Sequence, residues 1–329
     1  MKTTRIFPLG FPWQTADPFL FCVHHLDTYP AGNEEMGPDA PLTGRNLGND
    51  FVLKDGWRMY HGQQVPGFPA HPHCGFETVT LVTRGYCDHA DSLGAAARFG
   101  EGDAQWITTG SGLQHSEMFP LLDREGPNTL ELFQIWLNLP RRSKSASPYF
   151  SMIWKEQIPV WKGNGVQISL VAGSLGDVRA PEPPPDSWAH DPESDVHIGL
   201  ISMGPGAAFE LPATAPGSNR YLFLFEGEEV FLEEEPLKKG QGAELPESAF
   251  QLRNGKAPAR LLWLQGRPIG EPVARYGPFV MNEPPEIDRV LENFRNTRFG
   301  GWPWRHQDPV HERGAGRFAQ FPDGRRETP

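Results

Sequence analysis

Two pairs of chemically capable side chains stand at the same spacing in this chain of 329 residues: His71 and His73, then His115 and Glu117. In an extended strand, residues i and i+2 share a face, roughly 6–7 Å apart along the chain. Each pair can therefore converge on one ion. If the two segments pair or face each other, three imidazoles and one carboxylate meet. Such a set, with no thiolate, suits iron, manganese, nickel, copper or zinc. Four protein ligands on an octahedral ion leave two positions for water, dioxygen or a chelating substrate. With 11 histidines in the chain, one H-x-H is unremarkable. Two such pairs separated by a strand–turn–strand are not expected by chance. Pro72 donates no ladder hydrogen bond, which places this segment at a sheet edge or a strand start.

The elements that must position these residues are strands. The 36 Gly and 34 Pro make up about a fifth of the chain, against a usual share of about 12%. Both residues disfavour helix interiors, while 21 Phe, 10 Trp and 6 Tyr demand a core. Many short strands joined by Gly/Pro turns satisfy both demands. Glu77–Thr83 is rich in β-branched residues, and Ala104–Thr108 and Leu130–Leu137 read as further strands. Residues 32–66 are polar and glycine-rich, but Phe51, Val52, Leu53, Trp57, Met59 and Tyr60 suggest a packed flap rather than a linker. One helix is expected near the end. Asn282 is its candidate cap, Pro284 and Pro285 its first turn, and Ile287, Val290, Leu291 and Phe294 its apolar face.

A degenerate repeat organises the whole. Val79–Gly85 is echoed by Tyr221–Gly227, and Gly100–Gly102 by Gly240–Gly242. The expectation is all-β: two antiparallel jelly-roll barrels and a short C-terminal helix. The expected boundaries are 1–175 for a first, metal-binding domain, 176–195 for a Pro-rich linker, 196–300 for a second domain and 301–329 for a polar tail. The offsets of His71, His73, His115 and Glu117 from the paired glycines land in the second half on Ala213, Ala215, Gly255 and Ala257. The second barrel is therefore expected to carry no metal site.

The net charge of −11 disfavours direct duplex binding. Three cysteines, Cys22, Cys74 and Cys87, with no C-x-x-C, argue against a disulfide framework or a thiolate zinc cage. The opening residues show no leader pattern, and no apolar run is long enough to span a bilayer. A soluble, cytoplasmic monomer is expected.

The segments H-P-H-C-G-F-E-T-V-T (71–80), D-H-A-D-S (88–92), G-D-A-Q-W-I-T-T-G-S-G-L-Q-H-S-E (102–117), F-Q-I-W-L-N-L-P (133–140), R-Y-G-P-F-V-M-N (275–282) and N-F-R-N-T-R-F-G (293–300) resemble the pirin family of bicupins. The resemblance runs from about residue 5 to residue 300. It implies two cupin barrels and one divalent metal per chain, usually iron, with Mn, Ni, Cu, Co or Zn as alternatives. The implied ligands are His71, His73, His115 and Glu117, the set that spacing also selects. Where the family usually has Arg after H-P-H, this chain has Cys74, and its 32–66 and 301–329 stretches look longer than the family's.

Glu77, four residues after His73, is weighed as a ligand, with a supporting role favoured. His89 and Asp91 are expected to be a structural hydrogen-bond pair, Cys74 and Cys87 small hydrophobes, and Gln105 and Trp106 barrel packing. Two functions follow from the resemblance. One is a quercetin 2,3-dioxygenase-like oxygenase acting on a flavonol, with Glu117 both ligand and base. The other is an iron-dependent regulator that binds a transcription factor or a metabolic enzyme. A bicupin whose metal merely braces the barrel is the bland alternative.

Overall fold

A computed structural model describes residues 4–329. Met1–Thr3, part of the stretch read for a leader, lie outside the described residues. The strands run in chain order as β1 (Arg5–Pro8), β2 (Phe19–Tyr29), β3 (Gly67–His73), β4 (Phe76–Arg84), β5 (Tyr86–Asp91), β6 (Ala96–Gly100), β7 (Ala104–Thr108), β8 (Leu113–Met118), β9 (Asn128–Asn138) and β10 (Tyr149–Ile153). There follow β11 (Val160–Gly163), β12 (Val166–Ala172), β13 (Ser174–Leu175), β14 (Val178–Arg179), β15 (His197–Met203), β16 (Ala208–Leu211), β17 (Asn219–Glu226) and β18 (Glu229–Leu232). The rest are β19 (Glu235–Lys238), β20 (Gln241–Glu244), β21 (Phe250–Asn254), β22 (Ala259–Gly266), β23 (Ala274–Tyr276), β24 (Phe279–Met281), helix α1 (Pro284–Thr297), β25 (Phe318–Gln320) and β26 (Arg326–Glu327).

The strands form two cupin barrels. The first comprises His24–Lys155 and Glu271–Pro329; the second comprises the residues up to Val23 and Glu156–Gly270. In the first barrel a sheet ordered β10-β7-β4-β9-β2 accompanies one ordered β26-β25-β6-β5-β8-β3. Tyr29, Val82, Phe99, Ile107 and Leu132 are buried in its core. In the second barrel the orders are β1-β20-β17-β22-β15-β12-β11 and β16-β21-β18-β19. Ile168, Ile201, Leu222, Leu224 and Trp263 fill that core. The core positions of β17 and β22 recur at every second residue, the signature of a strand with one face turned inward.

The units divide the chain at different points from the expected 1–175 and 196–300. The first strand, β1, pairs with β20 of the second barrel, Arg5 opposite Glu244 with their side chains 3.0 Å apart. Residues 271–329 belong to the first barrel. The stretch 301–329 is not a free polar tail: β25 pairs with β6, and the buried Arg98 guanidinium donates to the carbonyls of His311 and Glu312 at 2.9 and 2.8 Å. Nor is 176–195 a bare linker. It holds β14 and two short 3₁₀ turns, Trp188–His190 and Pro192–Ser194, whose caps are the side chains of Ser187 and Asp191. The Trp188 indole anchors it by donating to the Arg267 carbonyl at 2.9 Å. Local capping gives such a Pro-rich stretch fixed structure without any apolar periodicity.

Helix α1 starts where expected, with Pro284 in its first turn. Its cap residue is Glu283, not Asn282, whose amide instead donates to the Pro272 carbonyl. Ile287 and Val290 are buried beside Phe279 and Phe299, with Leu291 and Phe294 packed against them. The flap is packed through Trp57, Met59 and Tyr60, which are buried, while Phe51, Val52 and Leu53 remain exposed. Among the described residues no helix is long and apolar enough to cross a membrane.

Candidate metal centre

β3 and β8 are antiparallel neighbours, and their register sets His71 opposite His115 and Phe68 opposite Glu117. β3 is the outer strand of its sheet, the position that Pro72 requires. The segments bearing the two i, i+2 pairs therefore lie side by side. The ring centroids of His71, His73 and His115 are 4.5–4.9 Å apart. Each offers a nitrogen within 4.8 Å of the others. Among the described residues this is the only such group of His, Cys, Asp or Glu.

The environment favours neutral imidazoles with lone pairs to give. His71 Nδ1 donates to the Pro69 carbonyl at 2.9 Å, which orients the ring and leaves Nε2 as the basic nitrogen. His73 Nδ1 and both ring nitrogens of His115 are buried without a hydrogen-bond partner among the described residues. Buried polar atoms left in that state cost about 1–3 kcal/mol each, and a coordinated cation removes that cost. Burial pushes His71 down to about 4 and holds His73 and His115 well below the ordinary imidazole value, with neighbouring imidazoles repelling further charge. Three neutral imidazoles with no thiolate fit a divalent transition metal.

Glu117 sits beside this group. Its Oε2 is 3.8 Å from His115 Nε2. The Thr80 hydroxyl donates to Oε1 at 2.9 Å, and Gln134 Nε2 lies 3.5 Å from Oε2. Burial raises the Glu117 carboxyl above its usual range, with His89 and the Thr80 bond acting against it. Thr80 and Gln134 are opposed across β4 and β9, and their contact with Glu117 was not foreseen from sequence. The available signal was a polar residue at an inward position of each strand.

The remaining candidates take other places. Thr108 Oγ1 donates to Glu77 at 2.7 Å, and Glu77 is not part of the histidine group. The alternation count from His73 fails because the chain turns at Cys74-Gly75 between β3 and β4. Gly75 has φ +86°, and a Cβ there would lie 1.9 Å from the Val280 carbonyl oxygen, so only glycine fits the turn. His89 and Asp91 are 3.3 Å apart, and Asp91 Oδ1 accepts from the backbone N–H groups of Leu93 and Ala95, closing the turn after β5. His89 also stacks on Phe150 and lies 5.6 Å from the His115 ring. Cys74 and Cys87 are buried, and Trp106 is in the core.

Two double-sheet barrels, with three convergent histidines in one of them, define a two-barrel cupin protein with one candidate metal site among the described residues. The pirin family model matches residues 12–137 and the pirin C-terminal cupin domain model matches 200–300. The chain belongs to the pirin family. It is 32% identical over 249 residues to Pirin-1 of Arabidopsis thaliana, spanning 71% of this chain and 78% of that protein. It is 33% identical over 235 residues to a Pseudomonas aeruginosa protein provisionally named a quercetin 2,3-dioxygenase, spanning 70% and 80% of the two chains. The crystal structure of quercetin 2,3-dioxygenase from Acinetobacter baumannii shares the fold, with a TM-score of 0.70 at 23% identity, covering 91% of this chain and 99% of that one.

Proposed function

We propose that this chain is a metal-dependent dioxygenase of the quercetin 2,3-dioxygenase type, with one divalent ion, iron, held by His71, His73, His115 and Glu117. The observation that carries the reading is the convergence of three imidazoles, with His73 Nδ1 and both ring nitrogens of His115 buried and without a hydrogen-bond partner among the described residues. The names of the relatives support the substrate class, a flavonol. When bound, the metal supplies Lewis acidity toward the substrate's oxygens and redox chemistry toward dioxygen. Glu117 accepts the proton of the flavonol's acidic hydroxyl at Oε2, while Thr80 holds Oε1.

The test is oxygen consumption by the iron-loaded protein across a panel of flavonols. Turnover is expected with quercetin. Glu117→Gln keeps the shape and a weak oxygen donor but cannot take the proton. It should retain part of the metal and lose turnover by about 10²–10⁴-fold at matched occupancy. An iron-loaded parent that consumes no oxygen with any flavonol overturns the reading. A regulatory role then takes its place, to be tested by pull-down of protein partners with metal-loaded and metal-free protein.

A further inference from the structure

The flap between β2 and β3 ends in an aromatic surface that leads to the metal-facing histidines. The Phe51 ring stands edge-on to Tyr60 at 5.6 Å and to His61 at 5.0 Å, and lies 6.3 Å from Phe68. Phe68 is on β3, and its ring is 6.2 Å from that of His71. Of the three histidines His71 alone is partly exposed. Phe51 is 36% exposed and His61 is exposed, so the rings form a path from solvent to the accessible imidazole. His61 Nδ1 donates to the Gly48 carbonyl at 2.7 Å, leaving Nε2 as an oriented acceptor. On the other flank, Trp136 is 5.4 Å from His73, with the Arg275 guanidinium 5.0 Å over the indole.

Packing alone does not account for this surface. Trp57, Met59 and Tyr60 are buried in the flap, yet Phe51, Val52 and Leu53 stay in water, and of these Phe51 reaches Phe68 next to His71. Contiguous exposed apolar side chains mark places where something binds. A ligand that chelates through two oxygens must project the rest of its body away from the histidines, and a planar ring can lie against Phe68 and Phe51 as it does so.

We propose that Phe51, His61 and Phe68 form a recognition wall that selects planar aromatic chelators over aliphatic ones, with His61 Nε2 accepting a hydrogen bond from a ring hydroxyl. The proposal rests on the reading of the centre as a metal site with an aromatic substrate, but it does not require turnover.

The experiment uses the full chain loaded with Zn²⁺, which cannot run the redox reaction. Quercetin is titrated by its absorbance shift and oxalate by calorimetry, into the parent, Phe51→Ala, His61→Ala and the double variant. The parent should bind quercetin more tightly than oxalate. The double variant should bind quercetin about tenfold or more weakly, the size of one aromatic contact plus one hydrogen bond. Its zinc stoichiometry and oxalate affinity should match the parent's. Unchanged quercetin affinity in the double variant overturns the wall. So does a parallel loss of zinc or oxalate, which marks a structural role, and so does a parent that takes no zinc or prefers oxalate. Wall-dependent quercetin binding in a protein whose iron form consumes no oxygen would leave the wall standing and remove the dioxygenase reading.

Discussion

His115 is nearly inaccessible to water, and neither of its ring nitrogens has a hydrogen-bond partner among the described residues. His73 is 4% exposed and 4.9 Å from it, ring to ring. In a site of so few donors no neighbour can stand in for a missing imidazole. His73→Ala is therefore expected to lose most of its metal, and elemental analysis of the purified variant checks this; parent-like metal content would refute the ligand assignment. A second residue-scale expectation lies away from the centre. His25 Nδ1 donates to the Tyr60 hydroxyl at 2.7 Å, and Tyr60 in turn donates to Asp27 at 2.6 Å. Burial lowers His25 to about 3. A histidine lowered in the fold stays neutral there while the unfolded chain takes up a proton below about pH 6.5. Its contribution is present above that pH and is lost on acidification toward pH 3. The stability advantage of the parent over His25→Asn should thus shrink from pH 6.5 to 4, by at most about 1.4 kcal/mol per pH unit. Urea midpoints along a pH series measure it, and a constant gap would show that His25 does not titrate as described.

At the scale of elements, the strands that carry the histidines are braced by the last thirty or so residues. The β3 backbone N–H of Ala70, one residue before His71, donates to the Gln307 carbonyl at 2.6 Å. The Trp304 indole donates to the Asp91 carbonyl at 2.7 Å. Beneath this segment, Arg98 and Asp88 are wholly buried and joined by two 2.7 Å bonds. Asp88 also accepts from the His311 N–H at 2.7 Å. A buried pair contributes little net stability over an apolar pair, but removing one partner strands a charge. Asp88→Ala should destabilise the protein by about 3–5 kcal/mol, read from denaturant unfolding followed by tryptophan fluorescence. A change under about 1 kcal/mol would show that the carbonyls of residues 311–313 suffice to hold the guanidinium.

At the scale of the molecule, neither barrel is one continuous run of chain. The second takes its outer strand β1 from the N-terminus, and the first takes β23–β26 and α1 from the C-terminus. A fragment of residues 1–180 holds β1 without β20 and lacks α1 and β25. Its exposed strand edges and uncovered Cys74 leave surfaces that promote association. Such a fragment should aggregate, and size-exclusion chromatography with a thermal melt decides the matter. A soluble 1–180 fragment with a cooperative transition would contradict the dependence of the first barrel on residues 271–329.

The histidine pairs, the strand-rich class and the apolar face of α1 were legible in the sequence because each is a local pattern: i, i+2 spacing, β-branched runs between Gly/Pro turns, and a 3.6-residue period. The packed flap was legible from Trp57, Met59 and Tyr60 for the same reason. What only the tertiary structure decided depends on pairings between residues far apart in the chain. The register of β3 on β8 sets His71 against His115, the turn at Gly75 removes Glu77 from their side, and Thr80 reaches Glu117 across the barrel. Likewise β1 on β20 and β25 on β6 assign the two termini to their barrels. A strand carries its own alternation in its residues, but its partner is selected by the global packing of both sheets, and no short-range spacing encodes that choice.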